Sequence, residues 1–385
     1  MKKNICVLTA TRAEYGILRP LMEVIDKSES LNLQLLVTGA HLSPEFGLTY
    51  NGIEEDGFYI DEKVEMLLSS DTATGIVKSM GLGMTSYADS FNRLKPDAVV
   101  ILGDRYEMLA TASAASVFKI PIVHLHGGEI TEGAYDDAFR HAITKLSHLH
   151  FTSTEDHRKR VIQLGENPEN VYNVGALGLD NIFKLNLLTK EELEKELVIE
   201  FRKHNYQVTF HPETLGSRSS AEQFEVLLQA IQAQEDSFFI FTKANADTDG
   251  RVINNMIDEF VLNHPERSKA FTSLGNLRYL SLLQQCDAII GNSSSGIIEA
   301  PSLNIATINL GDRQKGRTQA ESVINCKVDF QQINGAFLKV RTADFKENLK
   351  NVKNPYGDGN TASKIITVIE NTSWEDLKIK RFYNL

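Results

Sequence analysis

The chain lacks the short signatures by which nucleotides and metals are most often held. It has no Gly-x-Gly-x-x-Gly turn and no Walker lysine, which disfavours NAD or ATP bound in the usual way. It has no His-Glu-x-x-His helix and no thiolate set, so a catalytic zinc finds no ready cage. No apolar stretch approaches the length of a membrane span. The run after Met1-Lys2-Lys3 ends at Ala10, too short for a signal-peptide core. Cysteine is scarce: Cys6, Cys286 and Cys326 are far apart and odd in number, which argues for buried thiols in a reducing cytoplasm rather than a disulfide framework. Positive charge is in deficit, and a net charge of −11 argues against a nucleic-acid partner. Internal repeats, heptad stripes and low-complexity tracts are absent.

What is present is a regular alternation of short β-rich apolar runs and helical patterns, the mark of parallel βαβ units. In the first half the runs fall at 5–8, 33–37, 98–102, 120–125, 149–152 and 171–174, with helices expected at 18–26, 75–94, 107–118, 136–147 and 155–164. In the second half the runs are 207–210, 238–242, 270–272, 288–290 and 306–309, separated by helices at 220–233, 250–263 and 277–285. The series restarts after 181–190. The expected architecture is therefore α/β, with two doubly wound Rossmann-like domains, 1–180 and 181–360, and a ligand cleft between them. A C-terminal helix in 361–385 is expected to pack back on the first domain.

The polar clusters fall just after the expected strands, where open α/β sheets put their ligands. Asp287-Ala288-Ile289-Ile290-Gly291-Asn292-Ser293-Ser294-Ser295-Gly296 reads as strand, hydroxyl-rich turn and helix start, which can offer unpaired N–H groups to a phosphate. A second strand follows, and then a loop with three cations, Arg313, Lys315 and Arg317. Together they point to a bound diphosphate, although Ser is also a routine N-cap. Arg12, after the first strand, could clamp a phosphate or be an ordinary loop arginine. Asp104, Glu129 and Asp136 come from three loops at one sheet edge. An Asp there can be only a helix cap, but acids crowded in a cleft spread their pKa values and suit proton transfer. His124, His126 and Glu129 form a His-x-His-x-x-Glu spacing. Hydrogen-bonded or catalytic histidines are the preferred reading over a metal. His211 and Asn245 end later strands, where turn or cap roles are common.

Together these positions resemble the UDP-N-acetylglucosamine 2-epimerase family, whose fold is like that of two-domain GT-B glycosyltransferases. The resemblance covers nearly the whole chain, from Thr-Arg-Ala-Glu-Tyr-Gly at 11–16 to Asn-Leu-Gly-Asp-Arg-Gln-Lys-Gly-Arg at 309–317. It is nearest to the hydrolysing branch of sialic acid biosynthesis, the bacterial NeuC type, through Gly-Asp-Arg-Tyr (103–106), Gly-Gly-Glu (127–129), Asp-Asp-x-x-Arg-His (136–141) and Gly-Asn-Ser-Ser (291–294). It implies catalytic positions for Asp104, Glu129 and Asp136, with His211 beside them. It places Arg12, Arg105, Asn245, Ser293, Ser294, Ser295, Glu299 and Arg313 against UDP, with Arg140 also on the substrate and the Leu274 backbone at the uracil edge. Non-hydrolysing relatives carry a catalytic Glu in a His-x-Glu pattern where this chain has His124-Leu125-His126, which favours the hydrolysing branch.

The reaction so implied converts UDP-N-acetylglucosamine and water to N-acetylmannosamine and UDP through 2-acetamidoglucal, with no cofactor, metal or covalent intermediate. The implied partners are UDP-N-acetylglucosamine and UDP, with no membrane, in a cytoplasmic homo-oligomer, dimer or tetramer. The alternatives are a non-hydrolysing 2-epimerase, a hydrolysing enzyme for another nucleotide sugar as in legionaminic acid pathways, a GT-B glycosyltransferase, or a nucleotide-sugar sensor.

Overall fold

A computed structural model describes residues 2–68, 72–131, 135–212, 219–243 and 250–385. The chain divides into two compact α/β units. One comprises Met1–Ile130, Ala134–Asn181 and Tyr356–Leu385, and the other Ile182–Pro355. Among the described residues, no helix is long and apolar enough to cross a membrane.

The first unit is built on strands β1 (Lys3–Thr9), β2 (Leu31–Thr38), β3 (Glu62–Val64), β4 (Ala98–Leu102), β5 (Ile122–Leu125), β6 (Leu149–Thr152) and β7 (Val171–Asn173). They form one sheet in the order β3-β2-β1-β4-β5-β6-β7, and every pairing is parallel. All five residues of Ala98–Leu102 are buried, as expected of a central strand covered by helices on both faces. One face carries Leu18, Leu21 and Ile25 with Ile365, Ile369 and Trp374. The other carries Cys6, Leu8, Tyr87, Phe91 and Met108. Chain order reverses between β1 and β4, so the loops after these strands diverge and leave a crevice at their carboxyl ends.

The second unit repeats the plan with β8 (His204–Thr209), β9 (Ser237–Thr242), β10 (Ser268–Phe271), β11 (Ala288–Gly291), β12 (Ala306–Leu310) and β13 (Val323–Cys326). The order is β10-β9-β8-β11-β12-β13, again parallel throughout, with its reversal between β8 and β11. Two strands escape the sequence pattern, β3 and β13. Both are short edge strands with mixed exposure, so neither has the continuous apolar run of the central strands.

The helix after β1 begins at Arg12, earlier than the apolar period indicates, and runs through Pro20 to Asp26. Thr11 and Glu14 form a capping box that fixes its start. Pro20 has no N–H for the carbonyl of Gly16, and Asn181 Nδ2 donates to that carbonyl instead, at 2.9 Å. The Thr361–Asn371 helix packs on Arg12–Asp26. Its N-terminus is capped from far away, because the Asp180 carboxylate accepts the N–H of Thr361 at 2.8 Å and of Ala362 at 2.9 Å. Further on, Lys380 Nζ donates to the Lys145 carbonyl at 2.7 Å and lies 2.7 Å from Glu166 Oε2. The C-terminal segment thus secures the last turn of the helix Tyr135–Leu146.

Gly291 ends β11 at a φ of 130°, and a Cβ there would lie 1.9 Å from the Thr209 carbonyl oxygen. Gly291→Ala is therefore expected to cost at least about 3 kcal/mol or to prevent folding of the second unit. Urea unfolding measures this, and a loss under about 1 kcal/mol would contradict the close approach.

Candidate active site

At the β1/β4 crevice of the first unit, the chain gathers acids and pays for them with two arginines. Glu14 Oε2 accepts the N–H groups of Ala10 at 2.9 Å and Thr11 at 3.1 Å, which pins the loop after β1. Burial pushes its carboxyl up to about 7. Arg105 forks onto Glu107, a fully buried carboxylate, at 3.1 and 3.2 Å, with Glu14 at 3.8 Å. Asp104 is ion-paired with Arg140, which is buried and also lies 3.5 Å from Asp137. Arg140, placed on the substrate by the sequence reading, here holds Asp104. Asp136 is half-buried and pushed up to about 6, first by desolvation and then by the charge of Asp104, against the pull of Arg105 and Arg140. Arg12 stands exposed in the first turn of its helix.

Glu129 occupies a second cluster, one strand over. It is 6% exposed, and its Oε1 lies 3.3 Å from His126 Nδ1 and accepts from Ser153 Oγ at 3.0 Å. His126 has a left-handed backbone with φ of 63°, uncommon outside glycine. Its Nε2 accepts the N–H of Leu177 at 3.3 Å, so the ring proton of the neutral imidazole resides on Nδ1, facing Glu129. The Gly-Gly pair that follows is a packing requirement: a Cβ on Gly128 would lie 2.4 Å from the His157 carbonyl oxygen. His124, two residues before His126, is committed elsewhere. Its Nε2 donates to the Gly103 carbonyl at 2.8 Å and its Nδ1 pairs with Thr144 Oγ1 at 3.1 Å. Burial pushes it down to about 3, so it is a neutral core residue that ties the loop after β4 to β5.

In the second unit the β8/β11 crevice is organised by Asn292. Its side-chain amide accepts from His211 N–H at 2.7 Å and donates to the His211 carbonyl at 2.8 Å. Its own carbonyl accepts from Arg313 Nη1 at 3.0 Å and from buried Gln314 at 2.8 Å. One asparagine thereby brings His211, Arg313 and the serine turn together. His211 is pushed down to about 4 by burial and then by the charge of Arg313, so it is a neutral imidazole at physiological pH. Burial pushes the Tyr279 phenol up, the charge of Glu299 acts in the same direction, and the nearby Ser295, Thr209 and Ser293 hydroxyls act against it. Leu274 is buried, and its carbonyl accepts Arg278 Nε at 2.9 Å. Asn245 lies outside the described residues.

The helix expected after the serine turn is a correction. Ser295–Ile298 is a single turn that passes into the 3-10 segment Ala300–Leu303, because Pro301 supplies no N–H and its ring opposes continuation. An anion at this turn depends on hydroxyls and side-chain cations more than on a helix dipole. Asn292, Tyr279, Gln314, Glu14, Glu107, Ser153 and His157 were not singled out in the sequence. Asn292 at least stood inside the Gly-Asn-Ser-Ser pattern that drew attention to the turn.

Residues 23–370 match the UDP-N-acetylglucosamine 2-epimerase family. The chain belongs to that family. It is 45% identical to a hydrolysing GDP/UDP-N,N'-diacetylbacillosamine 2-epimerase of Campylobacter jejuni, over 100% of both chains. It is 39% identical to the polysialic acid biosynthesis protein P7 of Escherichia coli, over 100% of this chain and 98% of that one. Among solved structures, the UDP-GlcNAc 2-epimerase of Neisseria meningitidis bound to UDP-GlcNAc superposes with a TM-score of 0.82 at 19% identity, covering 96% of this chain and 100% of that one. The resemblance read from the motifs and the GT-B-like fold expected with it are both borne out.

The raised Asp136 carboxyl gives a direct test of the acid cluster. Asp136 should titrate with a midpoint near 6, ionised above it and protonated below, read from its side-chain carbon shift in aspartate-labelled protein. Asp104→Asn removes the like charge and one partner of Arg140, so the midpoint should move down. An unchanged or higher midpoint in the variant would contradict the coupling.

Proposed function

We propose that this family member is a hydrolysing 2-epimerase that converts UDP-N-acetylglucosamine and water to UDP and free N-acetylmannosamine. The observation that carries this reading is the division of labour between the two crevices. One crowds carboxylates, with Asp136 pushed up to about 6, and the other presents Arg313, a neutral His211 and serine hydroxyls. The first suits proton transfer at neutral pH, and the second suits a departing nucleoside diphosphate.

The C2 proton of the sugar is barely acidic while C1 stays tetrahedral. As the C1–O bond to the β-phosphate lengthens, its electrons leave with UDP and C1 gains oxocarbenium character. Arg313, the His211 ring N–H and Ser293–Ser295 stabilise the charge on the leaving oxygens. A carboxylate then takes the C2 proton, and the C–H electron pair closes the C1=C2 bond of 2-acetamidoglucal. Asp136 suits this step, since it is largely ionised at pH 7 yet far more basic than an ordinary aspartate. Asp104, ion-paired with Arg140, lies against the same group, and its carboxylate charge stabilises positive character at C1. Hydration runs the other way: water adds to C1, its proton goes to a carboxylate, and C2 is protonated from the opposite face. Glu129 is the acid we place on that second face.

A second reading concerns the sugar alone. The 45% identical Campylobacter jejuni relative and a 35% identical relative of Legionella pneumophila are both described as acting on diacetylbacillosamine nucleotides. That favours a 4-acetamido-6-deoxy sugar on a nucleoside diphosphate, with the same chemistry at C1 and C2.

Incubation with UDP-N-acetylglucosamine and, separately, UDP-N,N'-diacetylbacillosamine, followed by mass spectrometry and NMR, is expected to give UDP and the free 2-epimer. The larger kcat/KM names the sugar. Accumulation of an epimerised nucleotide sugar without release of UDP would overturn the hydrolysing reading. Asp104→Asn, Glu129→Gln and Asp136→Asn should each keep UDP affinity and lose about 100-fold or more in turnover. Near-normal turnover in all three would remove the carboxylates from the chemistry.

A further inference from the structure

Glu129 is the end of a buried polar chain that the reaction scheme does not use. Ser153 follows β6, which pairs with β5 beside the Glu129 loop. Its Oγ lies 3.0 Å from Glu129 Oε1 and 2.9 Å from His157 Nδ1. Ser153 and His157 are 0% and 2% exposed. A serine hydroxyl has one hydrogen. That hydrogen goes to Glu129 Oε1, so the Ser153 oxygen accepts from His157 and a ring proton of His157 sits on Nδ1. The same Oε1 faces His126 Nδ1 at 3.3 Å, so both donors converge on one carboxylate oxygen.

Helix capping does not account for Ser153. The helix Glu155–Gln163 is capped by Thr154, whose side chain accepts from His157 N–H at 3.2 Å. Ser153 is one residue too early for that task, and its hydroxyl is turned inward. The backbone is shaped to keep the chain together, since only a glycine at 128 lets the Glu129 loop approach the His157 carbonyl. On its other side the His157 ring packs against Tyr356, at 6.2 Å between ring centres.

We propose that Ser153 and His157 are positioning residues that hold the Glu129 carboxylate in its working rotamer, His157 acting through Ser153 and His126 bracing the same oxygen. The inference rests on the catalytic place given to Glu129 above. Loss of the hydroxyl removes one of the donors on Glu129 Oε1, and misplacement of a reacting group by an ångström can cost up to about 100-fold in rate.

The test compares Ser153→Ala, His157→Ala and His157→Asn with the wild type, reading kcat and KM for the nucleotide sugar and Kd for UDP. Ser153→Ala and His157→Ala should lose between about 10- and 100-fold in kcat, with KM and UDP affinity within about twofold. His157→Asn keeps an N–H donor near the place of Nδ1 and should restore most of the lost kcat. Wild-type kcat in Ser153→Ala, or His157→Asn no better than His157→Ala, would overturn the proposal. Absence of turnover in the wild type would instead count against the proposed reaction. The positioning claim is then decided by crystal structures of wild type and Ser153→Ala. A rotated Glu129 carboxylate in the variant upholds it, and an unmoved one overturns it.

Discussion

Parallel strands end on one side of their sheet, so every loop that leaves a strand tip must share the same small region. In the first unit those loops deliver Glu14, Asp104, Glu107, Glu129 and Asp136, and the fold is stable only if that negative charge is answered. Arg105 answers Glu107 and Glu14, and Arg140 answers Asp104. Ser153 answers Glu129 with a hydrogen bond, and His126 Nδ1 lies 3.3 Å from the same oxygen. The residual cost of desolvation falls on Glu14, pushed up to about 7, and on Asp136, which is also set against Asp104 and pushed up to about 6. The same electrostatic constraint that threatens the fold therefore supplies a neutral-pH base. The tail that returns to the first unit serves it too, because Lys380 secures the far end of the helix bearing Asp136 and Arg140.

The second unit solves the opposite problem. Its crevice gathers donors and cations, and a single buried amide, Asn292, aligns them through both edges of its side chain and its own carbonyl. Holding His211 neutral matters here, since a second fixed positive charge beside Arg313 would be costly without an anion present. A neutral imidazole still donates one hydrogen bond.

Much of this was legible in the residues. The central strands announced themselves as apolar runs, and the polar positions that follow them carried the family likeness. What escaped had a physical reason in each case. The edge strands Glu62–Val64 and Val323–Cys326 are too short and too exposed to stand out. The true start of Arg12–Asp26 was obscured by Gly16 and Pro20, and the compensation comes from Asn181, far along the chain. The short turn at Ser295–Ile298 is ended by Pro301, six residues after Ser295, which a local cap signal does not weigh. Glu14, Glu107, Ser153 and His157 gain meaning only from what the fold sets beside them. His126 and Glu129 were visible as a pair of candidates, but only the Leu177 N–H reveals which ring nitrogen faces the acid.

The central claim is that carboxylates at the first crevice remove and return the C2 proton while the second crevice carries off the nucleotide. Turnover of the nucleotide sugar in deuterated water, with the released sugar examined by NMR, tests it most directly. The account predicts one deuterium at C2 of the free 2-epimer for each UDP released. A free sugar that keeps its original hydrogen at C2 would contradict it.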